Sequence, residues 1–243
     1  MDSVAAWFKW LHQTSGIKLT IFYDSYDRSR FLEGLITTLE LSAIVTVLSL
    51  FFGAIVAWLV GTKHQWLRRC VGAYVQLFRN TPPLVQIYFF YFAIGPLLPK
   101  LEGAPLLGSL GWAIVALTLL ETAFTAEIFR AGIEAVPKAT IEAAQSLGYS
   151  RAQIFRRVMF PLALRVTMPA LNNNLVNLVK TTTLGYAIAV PELLYMSGQI
   201  WSEQVNVTEM MIVLLVTYIA IVGLVNQLMQ WFEKRLYVPG FGQ

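Results

Sequence analysis

Apolar residues run through this chain in stretches too long for an ordinary soluble helix. A bilayer core of about 30 Å needs roughly 20 residues of helix to cross it. Residues 35–61 meet that length with Glu40 as their only charged residue, and residues 80–99 and 210–232 carry no charged residue. Residues 110–133 are also long and apolar but include Glu121, Glu127 and Arg130. Residues 160–179 are weaker, broken by Pro161, Arg165, Pro169 and several asparagines. The pattern predicts an all-α integral membrane protein with about five spanning helices.

Two segments fall outside these spans. In residues 1–31, Val4, Trp7, Phe8 and Leu11 make a short apolar face suited to a helix lying on the outer membrane surface. A loosely held tail is the plain alternative, and 24–30 read as a polar loop. Residues 181–209 mix Gly185, Pro191 and Gly198 with short apolar pieces, too broken to span. Irregular backbone at membrane depth survives only against protein or a water-filled cavity. This segment is therefore either a re-entrant or outer-face helix near a passage, or an ordinary amphipathic connection. The chain divides into an N-terminal periplasmic or interfacial segment, 1–31, and one membrane domain, 32–243.

Basic residues set the orientation. Lys63, Arg68, Arg69 and Arg79 lie between the first two spans, Lys138, Arg151, Arg156 and Arg157 between the third and fourth, and Lys234 and Arg235 after the fifth. The opposite connections hold only Lys100 on one side, and nothing basic from 181 to 210. The positive-inside rule makes the three basic regions cytoplasmic, with the N-terminus outside and the C-terminus inside.

Composition agrees: 56% of the residues are hydrophobic and 13% charged, against about 25% charged in soluble domains. The net charge of +4 sits in topology clusters rather than in a basic stripe interleaved with aromatics, which argues against nucleic acid. Cys70 is the only cysteine, and His12 and His64 have no metal-ligand spacing, so neither a disulfide nor a metal site is expected. The N-terminus lacks a basic region followed by a cleavage site, so no cleaved signal peptide is expected.

The connection between the third and fourth spans is the most informative. Thr140 is placed to cap a helix whose first turn carries Glu142. Ala143 and Ala144 keep that helix thin, so another surface can approach closely. Gly148 suits a helix stop with positive φ, and Ser150 can cap the next helix, through Ile154 and Phe155. The longer spacing is Glu142-Ala143-Ala144, three residues, Gly148, nine residues, Val158, one residue, Phe160-Pro161. It resembles the EAA loop of ATP-binding-cassette importer permeases, with Val158 and Phe160 in place of Ile and Leu. Residues 77–87 around Thr81-Pro82-Pro83, the stretch 126–133 and Leu178-Val179-Lys180-Thr181-Thr182-Thr183-Leu184 are similar to segments of polar amino acid permeases, in the same order. Two departures are Ala139-Thr140 in place of Gly-Gln, and Thr181 where many members have aspartate.

The resemblance implies a type I ABC importer permease in the bacterial inner membrane, multi-pass, that moves a polar amino acid. Its coupling loop would cover about 137–161, with Glu142, Ala143, Ala144, Gly148 and Pro161 docking a cytoplasmic ATP-binding subunit dimer. A periplasmic solute-binding protein would deliver substrate, and a second permease copy or homologous permease would complete the membrane portion. The chain has no Gly-Lys pair and hence no phosphate-cradling loop. ATP and Mg therefore belong to the partner ATPase; this chain is expected to bind no cofactor and catalyse nothing.

Polar residues inside the spans face protein or water rather than lipid. Asn173, Asn177 and Lys180 recur at i, i+4 and i+7, beside Thr181, and make a candidate substrate path. Interhelical bonding is the alternative, and suits Asn172 and Asn174 better. Glu121, deep and with no obvious local partner, and Gln86 are further candidates for substrate contact. Glu127, Arg130 and Glu134 fit a helix-surface ion network. An ATP-independent channel or secondary carrier would need no docking loop. A membrane enzyme lacks any hydrolytic or metal motif.

Overall fold

The computed structural model describes residues 2–62, 64–101 and 104–235; Lys63 lies outside them. Among the described residues ten α-helices follow one another: α1 (Asp2–Ser15), α2 (Ser25–Val60), α3 (Gln65–Asn80), α4 (Pro83–Tyr88), α5 (Ser109–Glu134), α6 (Lys138–Ser146), α7 (Arg151–Ile154), α8 (Phe160–Thr181), α9 (Leu193–Gln204) and α10 (Val207–Arg235). Helix α4 continues through a π segment and a 3-10 turn to Leu97. A two-residue ladder, β1 (Lys100–Leu101) with β2 (Ala104–Pro105), is the one strand pairing among the described residues.

Among the described residues, three helices are long and apolar enough to cross a bilayer: α2, α5 and α10. The apolar run Pro83–Leu97 starts three residues later than expected, because Thr81 is extended and Pro82 follows it. At ~1.5 Å per residue its helix is about 22 Å long, short for a straight crossing. Helix α8 has the length but is diluted by its arginine, lysine and asparagines.

Packing groups the residues into two compact units. The first comprises the chain through Ile44, Pro83–Leu117 and Val179–Gly223. Here the expectation of a polar loop at 24–30 fails. Asp24 Oδ1 accepts from the backbone N–H of Tyr26 and Asp27, at 2.8 and 3.1 Å, and so starts α2 at Ser25. The first apolar helix thus begins ten residues earlier than its hydropathy suggests, and the boundary drawn at 31/32 lies inside it. Arg30, buried within that extension, grips Glu203 on α9 through both terminal nitrogens, at 2.7 and 3.1 Å. The N-terminal segment is also tied in place. Asn206 donates to the Lys18 carbonyl at 2.8 Å, the Lys18 amide donates to Glu209 at 3.0 Å, and Phe8 stacks on Phe22 at 4.2 Å. Trp7 and Trp10 remain exposed.

Residues 181–209, left open between two readings, are largely helical and well packed. A 3-10 helix covers Thr182–Ile188, Ala189 takes φ +55°, and α9 follows. Glu192, which the sequence reading did not single out, is fully buried at the start of α9. Its carboxylate accepts from the N–H groups of Leu194 (2.9 Å) and Tyr195 (2.8 Å) and from the Tyr218 hydroxyl (3.3 Å). The Leu193 N–H donates to Thr38 at 3.0 Å. Gly34 of α2 makes this approach possible: a Cβ there would sit 2.9 Å from Met196 Cβ and 3.0 Å from Leu193 Cα.

The second unit comprises Val45–Pro82, Thr118–Leu178 and the chain from Leu224 on. The basic connection after α2 contains α3, an amphipathic helix absent from the hydropathy reading. Leu67, Val71, Tyr74, Val75 and Phe78 line its inner face, while Arg68, Arg69 and Gln76 are exposed. The Tyr74 hydroxyl donates to the Leu119 carbonyl of α5 at 2.6 Å.

Candidate functional site

The connection from α5 to α8 is built by three local signals. Pro137 cannot extend α5 because it has no N–H, and Thr140 and Ile141 donate back to its carbonyl. Helix α6 therefore starts at Lys138 with Pro137 as its N-cap and no side-chain cap. Thr140 lies inside the helix and does not cap it, which moves Glu142 from the first turn to the second.

The other end matches expectation. Gly148 has φ +82°, and the Gly148 N–H bonds the Gln145 carbonyl at 2.9 Å while the Tyr149 N–H bonds that of Ala144 at 3.2 Å. This pair of bonds is a Schellman stop. Ser150 then closes a capping box: the Gln153 N–H donates to Ser150 Oγ, and the Ser150 N–H donates to Gln153 Oε1 at 2.8 Å. Helix α7 passes through the π segment Phe155–Met159 into α8, with Pro161 exposed in the first turn of α8.

The three EAA residues do not share one environment. Glu142 and Ala143 are exposed, but Ala144 is buried. Only Ala143 can provide the thin external surface expected of the pair; Ala144 instead allows close packing inside the chain. Leu147, just before the stop, is 76% exposed, a large apolar side chain beside Glu142 and Ala143 that motif spacing does not single out.

The polar residues of α8 separate by face. Asn173, Asn177 and Lys180 are exposed, whereas Leu171, Leu178 and Val179 are buried. Asn172 and Asn174 turn to neighbouring helices of the same chain: Asn172 donates to Asn226 of α10 at 2.7 Å, and Asn174 to Glu121 of α5 at 2.6 Å. Glu121 is buried and has a partner after all, 53 positions away in sequence and so invisible to local spacing. Gln86 is buried on α4, and Thr181 is half-buried at the end of α8. On α5, Arg130 bonds both oxygens of Glu127, at 2.6 and 3.0 Å, and also Glu134. Arg79 from α3 approaches Glu127 to 3.8 Å.

Residues 27–238 match the family model described as "Binding-protein-dependent transport system inner membrane component". The nopaline transport system permease protein NocM of Agrobacterium fabrum is 33% identical over 201 residues, 81% of this chain and 83% of NocM. A Bacillus subtilis protein named "Probable glutamine ABC transporter permease protein GlnM" is 30% identical over 220 residues, 90% of this chain and 98% of that one. Among solved structures, "an amino acid ABC transporter with histidines" superposes with TM-score 0.78 at 27% identity, covering 86% of this chain and 94% of that chain. A chain of the MetNI methionine transporter, at 24% identity and TM-score 0.72, shares the fold. A buried-core helical membrane fold, a Schellman-stopped α6 and a family match across nearly the whole chain agree: this protein belongs to the inner-membrane components of binding-protein-dependent transport systems.

Proposed function

We propose that this chain is the transmembrane subunit of an ATP-binding-cassette importer for a polar amino acid. The observation that carries the reading is the α6 loop. Its short helix begins at Pro137, ends in the Gly148 stop, and presents Glu142, Ala143 and Leu147 outward between two long helices. Such a device suits a moving partner, whereas an ATP-independent channel or carrier would have no use for it. Relatives named for nopaline, octopine and glutamine support an amino-acid cargo.

In this reading a cytoplasmic ATPase dimer, carrying ATP and Mg, docks on Glu142, Ala143 and the Gly148 turn. A periplasmic binding protein supplies substrate, and a second permease pairs with this one. Five crossings follow if α4 with its continuation and α8 also span, with the basic connections on the cytoplasmic side. Closure of the ATPase dimer would move α6, and the continuous helical path from α7 through Phe155–Met159 into α8 would pass that motion into the spanning helices. The exposed Asn173–Asn177–Lys180 face of α8 would then line the substrate path, while Glu121 acts through its bond to Asn174.

The test is disulfide trapping in a Cys70→Ser background. A cysteine replacing Ala143 should cross-link to a cysteine on the co-expressed ATPase, and reduction should restore amino-acid uptake in proteoliposomes. Cross-linking absent at this position, with uptake intact, would overturn the docking assignment.

A further inference from the structure

Below the exposed asparagines of α8, the same helix face continues through Ala170 to Val166, at i−3 and i−7 from Asn173. There it meets an open groove of about 400 Å³. Alanine and glycine make much of its wall, notably Ala131, Gly132, Ala135 and Ala170, with Phe124 and Val166. Two charged side chains line it: Arg79 and Glu127.

The two differ in how fully they are engaged. Glu127 is gripped at both oxygens by Arg130, which also holds Glu134. Arg79 stands 3.8 Å from Glu127, beyond hydrogen-bond length, with its guanidinium 5.5 Å from the Phe124 ring centroid. Two arginines and two glutamates make the cluster neutral. A neutral cluster with separated charges suits a ligand that is itself neutral but dipolar, and holds it weakly.

We infer that this groove is a release subsite for the transported α-amino acid, with Arg79 receiving the carboxylate and Glu127 facing the ammonium group. The guanidinium fork matches a carboxylate in two parallel hydrogen bonds. Glu127 keeps lone pairs beyond those used by Arg130. The smooth wall of small residues leaves room for different side chains, so the subsite reads the amino-acid backbone common to all cargoes. The inference rests on the amino-acid reading above, and adds a stopping place on the exit side of the polar stripe.

The test uses the whole transporter with its ATPase and binding protein. In a Cys70→Ser background, Ala170→Cys is labelled with a charged thiol reagent in nucleotide-free complex, leaving Arg79 in place. A millimolar mixture of the common L-amino acids should slow labelling severalfold, and the corresponding amino-acid amides, which lack the carboxylate, should not. Arg79→Gln should abolish the protection and lower uptake per ATP hydrolysed about tenfold, while Arg79→Lys restores part of both. Equal protection by amides and acids, or unchanged coupling in Arg79→Gln, overturns the subsite. Cross-linking of Ala170→Cys to a second permease, unaffected by amino acids, overturns it as well. If the unsubstituted transporter takes up no amino acid at all, the reading beneath it fails instead.

Discussion

Asn174 on α8 donates its side-chain amide to the buried carboxylate of Glu121 on α5, 2.6 Å away. With Asn172 bonded to Asn226, adjacent asparagines tie α8 to two different helices. Each tie satisfies a polar group that would be costly to leave unpaired in an apolar surround.

Replacing Asn174 with alanine should therefore destabilise the permease. It strips the Glu121 carboxylate of a partner, at a cost of about 1–3 kcal/mol. Pairing it with Glu121→Leu should recover much of that loss, because removing both polar groups together is less costly than removing one. Thermal unfolding of the detergent-solubilised variants measures both. If the double variant is no more stable than Asn174→Ala, the pair is not what holds these helices.

Gly148 allows a sharper distinction. Nothing lies within 4 Å of where a Cβ would sit, so a side chain there meets no steric obstacle beyond its own backbone conformation. The φ of +82° nevertheless resists β-branched residues and admits asparagine more readily. Gly148→Val should cost about 1–3 kcal/mol of local strain and loosen the α6 stop. Gly148→Asn should keep most of it. Co-purification with the ATPase should fall for valine and persist for asparagine; equal behaviour would mean that the turn geometry is irrelevant to docking.

The loop was legible because its signals are local. Gly148, Ser150 and the spacing to Pro161 act over a few residues, and the helix stop and capping box appear where residue type alone places them. Thr140 misled because a good capping residue was outweighed by Pro137 three positions earlier. What failed elsewhere depended on distance. Arg30 looks like loop because its charge belongs to a contact remote in the chain, Glu203 being 173 positions away, although Asp24, earlier in the same stretch, caps α2 through local bonds. Helix α3 escaped notice because Arg68, Arg69 and Arg79 dilute its mean hydropathy while its apolar positions keep helical spacing. The burial of Glu192 had no sequence signal stronger than its place after Pro191.

The Arg30–Glu203 pair carries a pH prediction. The hydrogen bond from Arg30 lowers the pKa of Glu203 below the usual carboxylate value. A group so lowered contributes its stabilisation above its unfolded pKa of about 4.3 and loses it as pH falls through the depressed folded value. Protection of the α1–α2 connection from proteolysis should therefore weaken in acid below about pH 4. Glu203→Gln should show weaker protection at neutral pH and less change on acidification. The same acid response in both proteins would assign it to another group.

Lys180 and Asn177 test the exposed face of α8 directly. Each points away from the buried side marked by Leu178 and Val179, so truncation removes little packing. A surface substitution such as Lys180→Ala costs within about 0.5 kcal/mol. Lys180→Ala should therefore unfold at nearly the wild-type temperature, and both Lys180→Ala and Asn177→Ala should assemble with the ATPase. If the face lines the path, maximal uptake in proteoliposomes should fall several-fold while the concentration for half-maximal uptake, governed by the binding protein, stays nearly constant. Lost assembly would instead place both residues in the contact between permease subunits. Unchanged uptake with intact assembly would remove them from the path.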